Sequence, residues 1–264
     1  MSVFKREIKA GARSAAGWIC AVTGMSVLMM MFYPSFERDI ADYIKIVDNF
    51  PPAMKAALGM QTGNLASAIG FYSFSLLYAL LLGSIQAANL GFASMSKEMT
   101  LGTADFLLTK PVSRARILTA KLLAALCVIG VTNIVYNLVT VPLVMSFTGG
   151  GSLKKVLLLN ASLLFLQLIF FALGFAVSAA AKKIKSVLPY SLGLVFMSFA
   201  LSAFAVTSKD DKLRYLTPFQ YFSAESILAK GSYETSFAVL AAVLVCLAVA
   251  AAYYFFINKQ IRSR

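Results

Sequence analysis

Two carboxylates, Glu98 and Asp105, are the leading candidates for acid–base chemistry, because the 264-residue sequence contains no histidine. Both lie in one charged segment, Ser96–Arg116, between two long apolar runs. Four basic residues accompany them: Lys97, Lys110, Arg114 and Arg116. A catalytic or metal site needs several converging groups, whereas two carboxylates separated by Gly102 and surrounded by cations are explained by salt bridges. We therefore expect no catalytic residue, no metal ligand and no enzyme activity on this chain.

Uncharged polar residues within the apolar runs are the other side chains that could bind a substrate or form hydrogen bonds. They are Gln86, Asn89, Asn133, Asn137, Asn160 and Gln167. No charged residue lies near the middle of a run, which disfavours ion-coupled transport. Hydrogen bonding between membrane helices is the favoured interpretation. The alternative is that Asn133, Asn137 and Gln167 line a translocation path.

Neither a nucleotide site nor a cysteine site is indicated. The glycine-rich stretch 149–152 lacks the Gly-x-x-x-x-Gly-Lys-Ser/Thr pattern of a phosphate-binding loop, and that pattern occurs nowhere else in the sequence. The three cysteines, Cys20, Cys127 and Cys246, each lie in an apolar run without ligand spacing. We expect them to be small buried hydrophobic residues.

The composition is that of a membrane protein, with 59% hydrophobic and 13% charged residues. Soluble domains average roughly half apolar and a quarter charged. We predict an all-α, polytopic protein forming a single domain over residues 1–264. Six runs are long enough to span a bilayer: Ser14–Tyr33, Ala66–Met95, Arg114–Phe147, Val156–Ala181, Val187–Val206 and Phe237–Ile257. Small residues recur in these runs and permit close helix approach: Gly17, Ala21, Gly83, Ala87, Gly174 and Ser178.

The segments outside the spans also carry local signals. Residues 1–13 place apolar and basic residues on opposite helical faces, which predicts a separate amphipathic helix on the membrane surface. Pro34 is expected to end the first span. Two polar connections, 36–65 and 207–236, should contain short helices. In the second, Ser223 is a plausible cap for a short helix closed by Gly231, and the aromatic residues should fold back against the membrane.

The net charge of +13 is explained by membrane topology. Six spans place both termini on one side, and that side holds 15 of the 24 lysines and arginines but only three of the 11 acidic residues. The positive-inside rule makes this the cytoplasmic side of the cell membrane. Nucleic acid is therefore not needed as a partner.

The central segment is predicted to contain one short helix. Gly102 weakens the helix before it, and Pro111 cannot continue a helix, which leaves Thr103–Thr109 as about two turns. Ser113 then caps the following span.

The same segment resembles the cytoplasmic loop of the type-2 ATP-binding-cassette (ABC-2) transporter permeases. The family pattern is Glu, Gly-Thr, a leucine pair, Pro-x-Ser-Arg and a later Lys. The matching positions, which cover about a tenth of the chain, are Glu98, Gly102, Thr103, Leu107, Leu108, Pro111, Ser113, Arg114 and Lys121.

The resemblance implies that the chain is a permease subunit and that the transporter is an exporter. A separate ATPase subunit would bind ATP and magnesium and would contact the short coupling helix, and a second permease copy or paralogue would complete a dimer among membrane lipids. Leu107 and Leu108 would fill an apolar groove, whereas Arg114, Arg116 and Lys121 would neutralise acidic ATPase or phospholipid headgroup surfaces. Two alternatives are a non-transporting scaffold, sensor or immunity protein that docks a cytoplasmic partner, and a lipid-modifying enzyme.

Overall fold

In the computed structural model, residues 3–51, 54–55, 65, 67–100, 113–149, 153–181, 184–208 and 211–258 are described. Their regular elements are all helices. In chain order they are α1 (Val3–Arg38), α2 (Ile40–Asp48), α3 (Ala68–Thr100), α4 (Arg114–Thr148), α5 (Leu153–Ala180), α6 (Val187–Ser208), α7 (Asp211–Arg214), a 3-10 turn (Pro218–Gln220), α8 (Ala224–Lys230) and α9 (Thr235–Asn258).

Six of these helices are long and apolar enough to cross a membrane. They are α1, α3, α4, α5, α6 and α9, and they correspond in order to the six predicted spans. The all-α, six-span prediction is therefore confirmed. The short helix α2 also lies where the first polar connection was expected to form one.

The N-terminal region differs from the prediction of a separate surface helix. α1 is one continuous helix of 36 residues, and Pro34 lies inside it. Pro34 removes one backbone hydrogen bond but does not end the helix. Near its N-terminal end α1 packs on α4, where Glu7 forms an ion pair with Lys121. The first turns of α1 therefore gain a protein partner, and the helix continues through Arg13 and Ser14 without a break.

The centre of the bundle is the pair formed by α3 and α5, which approach closely at glycines. A Cβ added to Gly91 would lie 2.4 Å from the backbone oxygen of Phe171, and one added to Gly174 would lie 2.9 Å from that of Ala88. Ser178 Oγ donates a hydrogen bond of 3.1 Å to the Gly91 carbonyl. The prediction of close approach at Gly174 and Ser178 is confirmed, whereas Gly17 has open space around it.

The connection between α6 and α9 folds back on the bundle as predicted. Ser223 caps α8 by accepting a hydrogen bond from the Ser226 backbone N–H, and Gly231 ends the helix at a φ of 63°. The ring of Phe219 packs on Phe170 of α5 and on Phe199 of α6, with centroid distances of 5.4 and 5.7 Å. Aromatic burial therefore fixes this connection against the spans.

The prediction that the three cysteines are buried is wrong. Cys20, Cys127 and Cys246 are all exposed on the outside of the bundle, not buried in it. Apolar side chains on a membrane helix can contact lipid as well as protein. An apolar sequence alone therefore does not indicate which face of the helix packs inside the bundle.

Candidate functional site

We call residues 101–113, which join α3 to α4 and contain the predicted coupling helix, the coupling segment. All of its residues except Ser113 lie outside the described part of the chain. Glu98 lies in the last turns of α3 without a described side chain. The following predicted residues are not described at all: Gly102, Thr103, Leu107, Leu108 and Pro111. The short coupling helix therefore stays a prediction. Three predicted residues, Ser113, Arg114 and Lys121, are described and lie together at the start of α4.

α4 begins where the sequence predicts. Ser113 has extended backbone angles, φ −62° and ψ 145°, and its side chain accepts a hydrogen bond from the Arg116 backbone N–H. This is the geometry of an N-terminal cap, which satisfies an otherwise unpaired donor of the first turn. The end of the coupling segment is therefore joined directly to a capped, 35-residue helix.

The first turns of α4 are bonded to the last turns of α9. Arg114 Nη1 donates a hydrogen bond of 3.2 Å to the backbone oxygen of Ile257. This places a cation at the carboxyl end of α9, where the helix dipole is negative. The hydroxyls of Thr119 and Tyr253 form a second link of 2.7 Å.

Lys121 joins the same end of α4 to α1. Its side chain is only 3% exposed, and its Nζ lies 3.1 Å from Glu7 Oε1. Lys121 therefore faces the N-terminal helix in this structure, and its predicted contact with acidic ATPase or lipid headgroup surfaces stays a prediction. We call the group formed by Ser113, Arg114, Thr119 and Lys121 with these partners the α4 base junction.

Removing Lys121 from the junction should destabilise the protein. In Lys121→Met the Glu7 carboxylate, which is partly buried, loses this partner, and leaving such a group unpaired costs about 1–3 kcal/mol. We expect a lower thermal midpoint in detergent, mostly restored in the double variant Glu7→Gln/Lys121→Met. The control is Lys45→Met, which breaks an exposed pair with Asp42, worth about 1 kcal/mol or less. An unchanged midpoint for Lys121→Met would show that the pair contributes no stability.

Deeper in the bundle, polar side chains of four spans form a buried polar network. Its members are Ser26, Tyr72, Gln86, Thr132, Asn133, Tyr136, Asn137, Thr140, Asn160 and Gln167. In one part, Gln86 donates to Thr132 Oγ1 at 2.9 Å and accepts from Gln167 at 3.2 Å. Asn133 Nδ2 in turn donates to Gln167 Oε1 at 2.6 Å. This part joins α3, α4 and α5.

The other part of the network centres on Asn160. Its side-chain nitrogen donates to Asn137 Oδ1 at 3.0 Å and to Thr140 Oγ1 at 3.1 Å, and its oxygen accepts a bond from the Tyr72 hydroxyl. The Tyr136 hydroxyl lies 3.2 Å from that of Tyr72 and 2.8 Å from Ser26 Oγ. Because Ser26 belongs to α1, this bond links α1 to the network. Polar groups in a membrane core are costly unless paired, and here most of them pair with one another. The exception in the network is Asn133 Oδ1, which is buried and has no hydrogen-bond partner among the described residues.

The residues predicted for a translocation path thus belong to this network. Asn133 and Gln167 are buried and bonded to each other, and Asn137 accepts from Asn160. Hydrogen bonding between helices accounts for all three, and a path along them stays a prediction. Sequence reasoning missed Tyr72 and Tyr136, because a tyrosine in an apolar run gives no sign that its hydroxyl is buried.

The comparison with protein families identifies the class. The model of a family described as "ABC-2 family transporter protein" matches residues 1–260. The chain therefore belongs to the ABC-2 transporter family and is a multi-pass membrane permease component. The resemblance found in the central segment is confirmed, and the match extends over nearly the whole chain. A comparison with curated protein sequences finds no significant match.

Proposed function

We propose that this chain is the transmembrane subunit of an ATP-driven exporter and couples ATP hydrolysis on a separate ATPase subunit to substrate movement across the cell membrane. Membership of the ABC-2 family supports this role. The sequence has no phosphate-loop pattern, which supports ATP hydrolysis on a separate subunit. ATP and magnesium then belong to the partner, and this chain is not itself an enzyme. A second permease copy or a paralogue completes the transporter. The export direction rests on the family resemblance.

The α4 base junction is the observation that carries the proposal. α4 starts directly after the coupling segment, and its first turns are bonded both to Ile257 of α9 and to Glu7 of α1. A displacement of the coupling segment would move these three helix ends together or break the bonds between them. A flexible connection would absorb the same displacement, so a bonded junction is suited to coupling.

The buried polar network extends this connection into the membrane core. Thr132 and Asn133 of α4 are bonded to Gln86 of α3 and Gln167 of α5. Movement of α4 would therefore reach the closely packed α3–α5 pair. Coupling through such a route requires two arrangements of the helices, which the ATPase cycle would bias.

Topology is part of the same proposal. The excess of basic residues supports a cytoplasmic location for both termini, the coupling segment and the loop around Lys185, where an ATPase subunit could reach them.

Co-purification tests the proposed partner. A tagged chain is extracted from its native membranes in mild detergent, and the accompanying proteins are identified by mass spectrometry. We expect an ATPase subunit with the wild type and at least tenfold less with Leu107→Asp, because a carboxylate cannot be buried unpaired in an apolar groove. The control is Ser186→Asp, which adds the same charge to an exposed position in another predicted cytoplasmic loop.

Other results would favour the alternatives. A folded preparation without any ATPase would favour a scaffold or sensor that docks a different partner. Lipid modification by the purified chain alone would support an enzyme. Equal recovery of the ATPase with Leu107→Asp and Ser186→Asp would contradict the assignment of the coupling helix.

A further inference from the structure

An apolar groove of about 310 Å³ runs between α5 and α9 on the side of the bundle. Small side chains of α9, at Ala238, Ala241 and Ala242, face the larger Phe165 and Ile169 of α5. The α9 positions are spaced by three and four residues and so form one stripe along the helix. The groove exists because alanine leaves the space that a larger residue would fill.

The groove begins at the N-terminal end of α9 and follows the helix toward Cys246. Phe222 and Tyr233 line one end, and Cys246 lines the wall further along α9. Tyr233 is fixed there by a hydrogen bond of 2.5 Å to the backbone oxygen of Leu158. From Thr235 to Cys246 the helix rises about 16 Å at 1.5 Å per residue. This is close to one leaflet of a hydrocarbon core about 30 Å thick.

Two cations pair with Glu234, the residue next to Tyr233 at the mouth of the groove. Glu234, which follows Tyr233, is 3.4 Å from Arg214 and 3.5 Å from Lys230. A hydrogen bond from Ser226, aided by these cations, lowers the pKa of Glu234, so the carboxylate is ionised at neutral pH. Within this ion-paired group two cations share one carboxylate, and the Lys230 side chain is 59% exposed. The mouth therefore favours an anionic group.

We propose that this groove binds one acyl chain of an anionic phospholipid, with the phosphate at Lys230 and Arg214. The occupant follows from three features: an apolar wall on two membrane spans, a length that matches one leaflet, and a positive mouth at the end of the span. A lipid bound here would contact both α9 and α5 and so stabilise their packing, next to the connection between α6 and α9 that folds back on the bundle.

Native mass spectrometry of the full chain tests the site. The protein is reconstituted in vesicles of equal parts phosphatidylglycerol and phosphatidylcholine and released into mild detergent. We expect the wild type to retain one phosphatidylglycerol per chain and Ala242→Phe, which fills the groove, to lose it at least fivefold. Val243→Phe is the matched control, because Val243 is the exposed neighbour outside the groove. Lys230→Gln should reduce the preference for phosphatidylglycerol over phosphatidylcholine at least threefold.

A second measurement needs no groove-filling variant. In a Cys20→Ser/Cys127→Ser background, Cys246 is the one remaining thiol. Its alkylation by N-ethylmaleimide in detergent should slow at least threefold when phosphatidylglycerol is added back to delipidated protein, and less with phosphatidylcholine.

Three results would overturn the proposal. Ala242→Phe could retain phospholipid as the wild type does, or Val243→Phe could lose it equally. Alkylation of Cys246 could be insensitive to added lipid. A change in subunit stoichiometry in Ala242→Phe, without loss of lipid, would assign the groove to contact between chains instead.

Discussion

Replacing Gly91 by valine should abolish correct folding of the bundle. The new Cβ would lie 2.4 Å from the Phe171 carbonyl oxygen and 2.8 Å from the Phe175 backbone nitrogen. Both obstacles are backbone atoms of α5, so no side-chain rotation relieves the overlap, and α3 and α5 must separate. Overpacking of this kind costs about 3 kcal/mol or more. Size-exclusion chromatography in mild detergent should show loss of the monodisperse peak.

Gly17→Val is the matched control, because a Cβ at Gly17 of α1 meets no other atom within 4 Å. It makes the same change in a membrane span without a packing partner. We expect a wild-type elution profile. If both variants elute like the wild type, α3 and α5 do not pack at Gly91.

Replacing Asn160 by leucine should have the second largest effect. Asn160 makes hydrogen bonds to three partners, Tyr72, Asn137 and Thr140, and leucine makes none. Each such bond in a membrane core is worth about 0.6 to 1.7 kcal/mol. We expect a loss of about 2–5 kcal/mol, measured as a lower thermal midpoint or a lower denaturant midpoint in detergent.

The control for Asn160→Leu is Ser73→Ala. Ser73 is buried in α3 beside Tyr72, but among the described residues its hydroxyl donates to the Gly70 carbonyl of its own helix and not to another span. Its loss should change the midpoint little. Equal midpoints for Asn160→Leu and the wild type would mean that the buried polar network does not hold the spans together.

Local signals explain which parts of the fold could be predicted from the sequence. The six spans follow from run length and composition, since the membrane fixes the minimum length of an apolar helix. The caps at Ser113 and Ser223 and the glycine stop at Gly231 follow from the chemistry of helix ends, and all three have that role in the structure.

The remaining features depend on partners distant in the chain. Glu7 and Lys121 are 114 residues apart, and neither neighbourhood indicates the other. The same contact explains why α1 is continuous at its N-terminal end. Burial of the Tyr136 hydroxyl and exposure of Cys246 depend on which helix face is inside, and apolar runs without strong periodicity do not specify that face.

Only part of the candidate site could be predicted from the sequence. The Gly-Thr, Leu-Leu and Pro-x-Ser-Arg spacing was sufficient to indicate the family, which the match over residues 1–260 confirms. That Arg114 contacts Ile257 could not be inferred, because it requires the arrangement of α4 and α9.

The most direct test of coupling is labelling of a single cysteine in sealed vesicles. Arg116 is exposed at the start of α4, so Arg116→Cys is introduced after Cys20, Cys127 and Cys246 are changed to serine. A membrane-impermeant maleimide should label it in inside-out vesicles only, and ATP with vanadate should change the labelling rate at least threefold when the ATPase is present. Labelling from the outer side would contradict the topology. A rate unaffected by trapped nucleotide would contradict coupling through the α4 base junction.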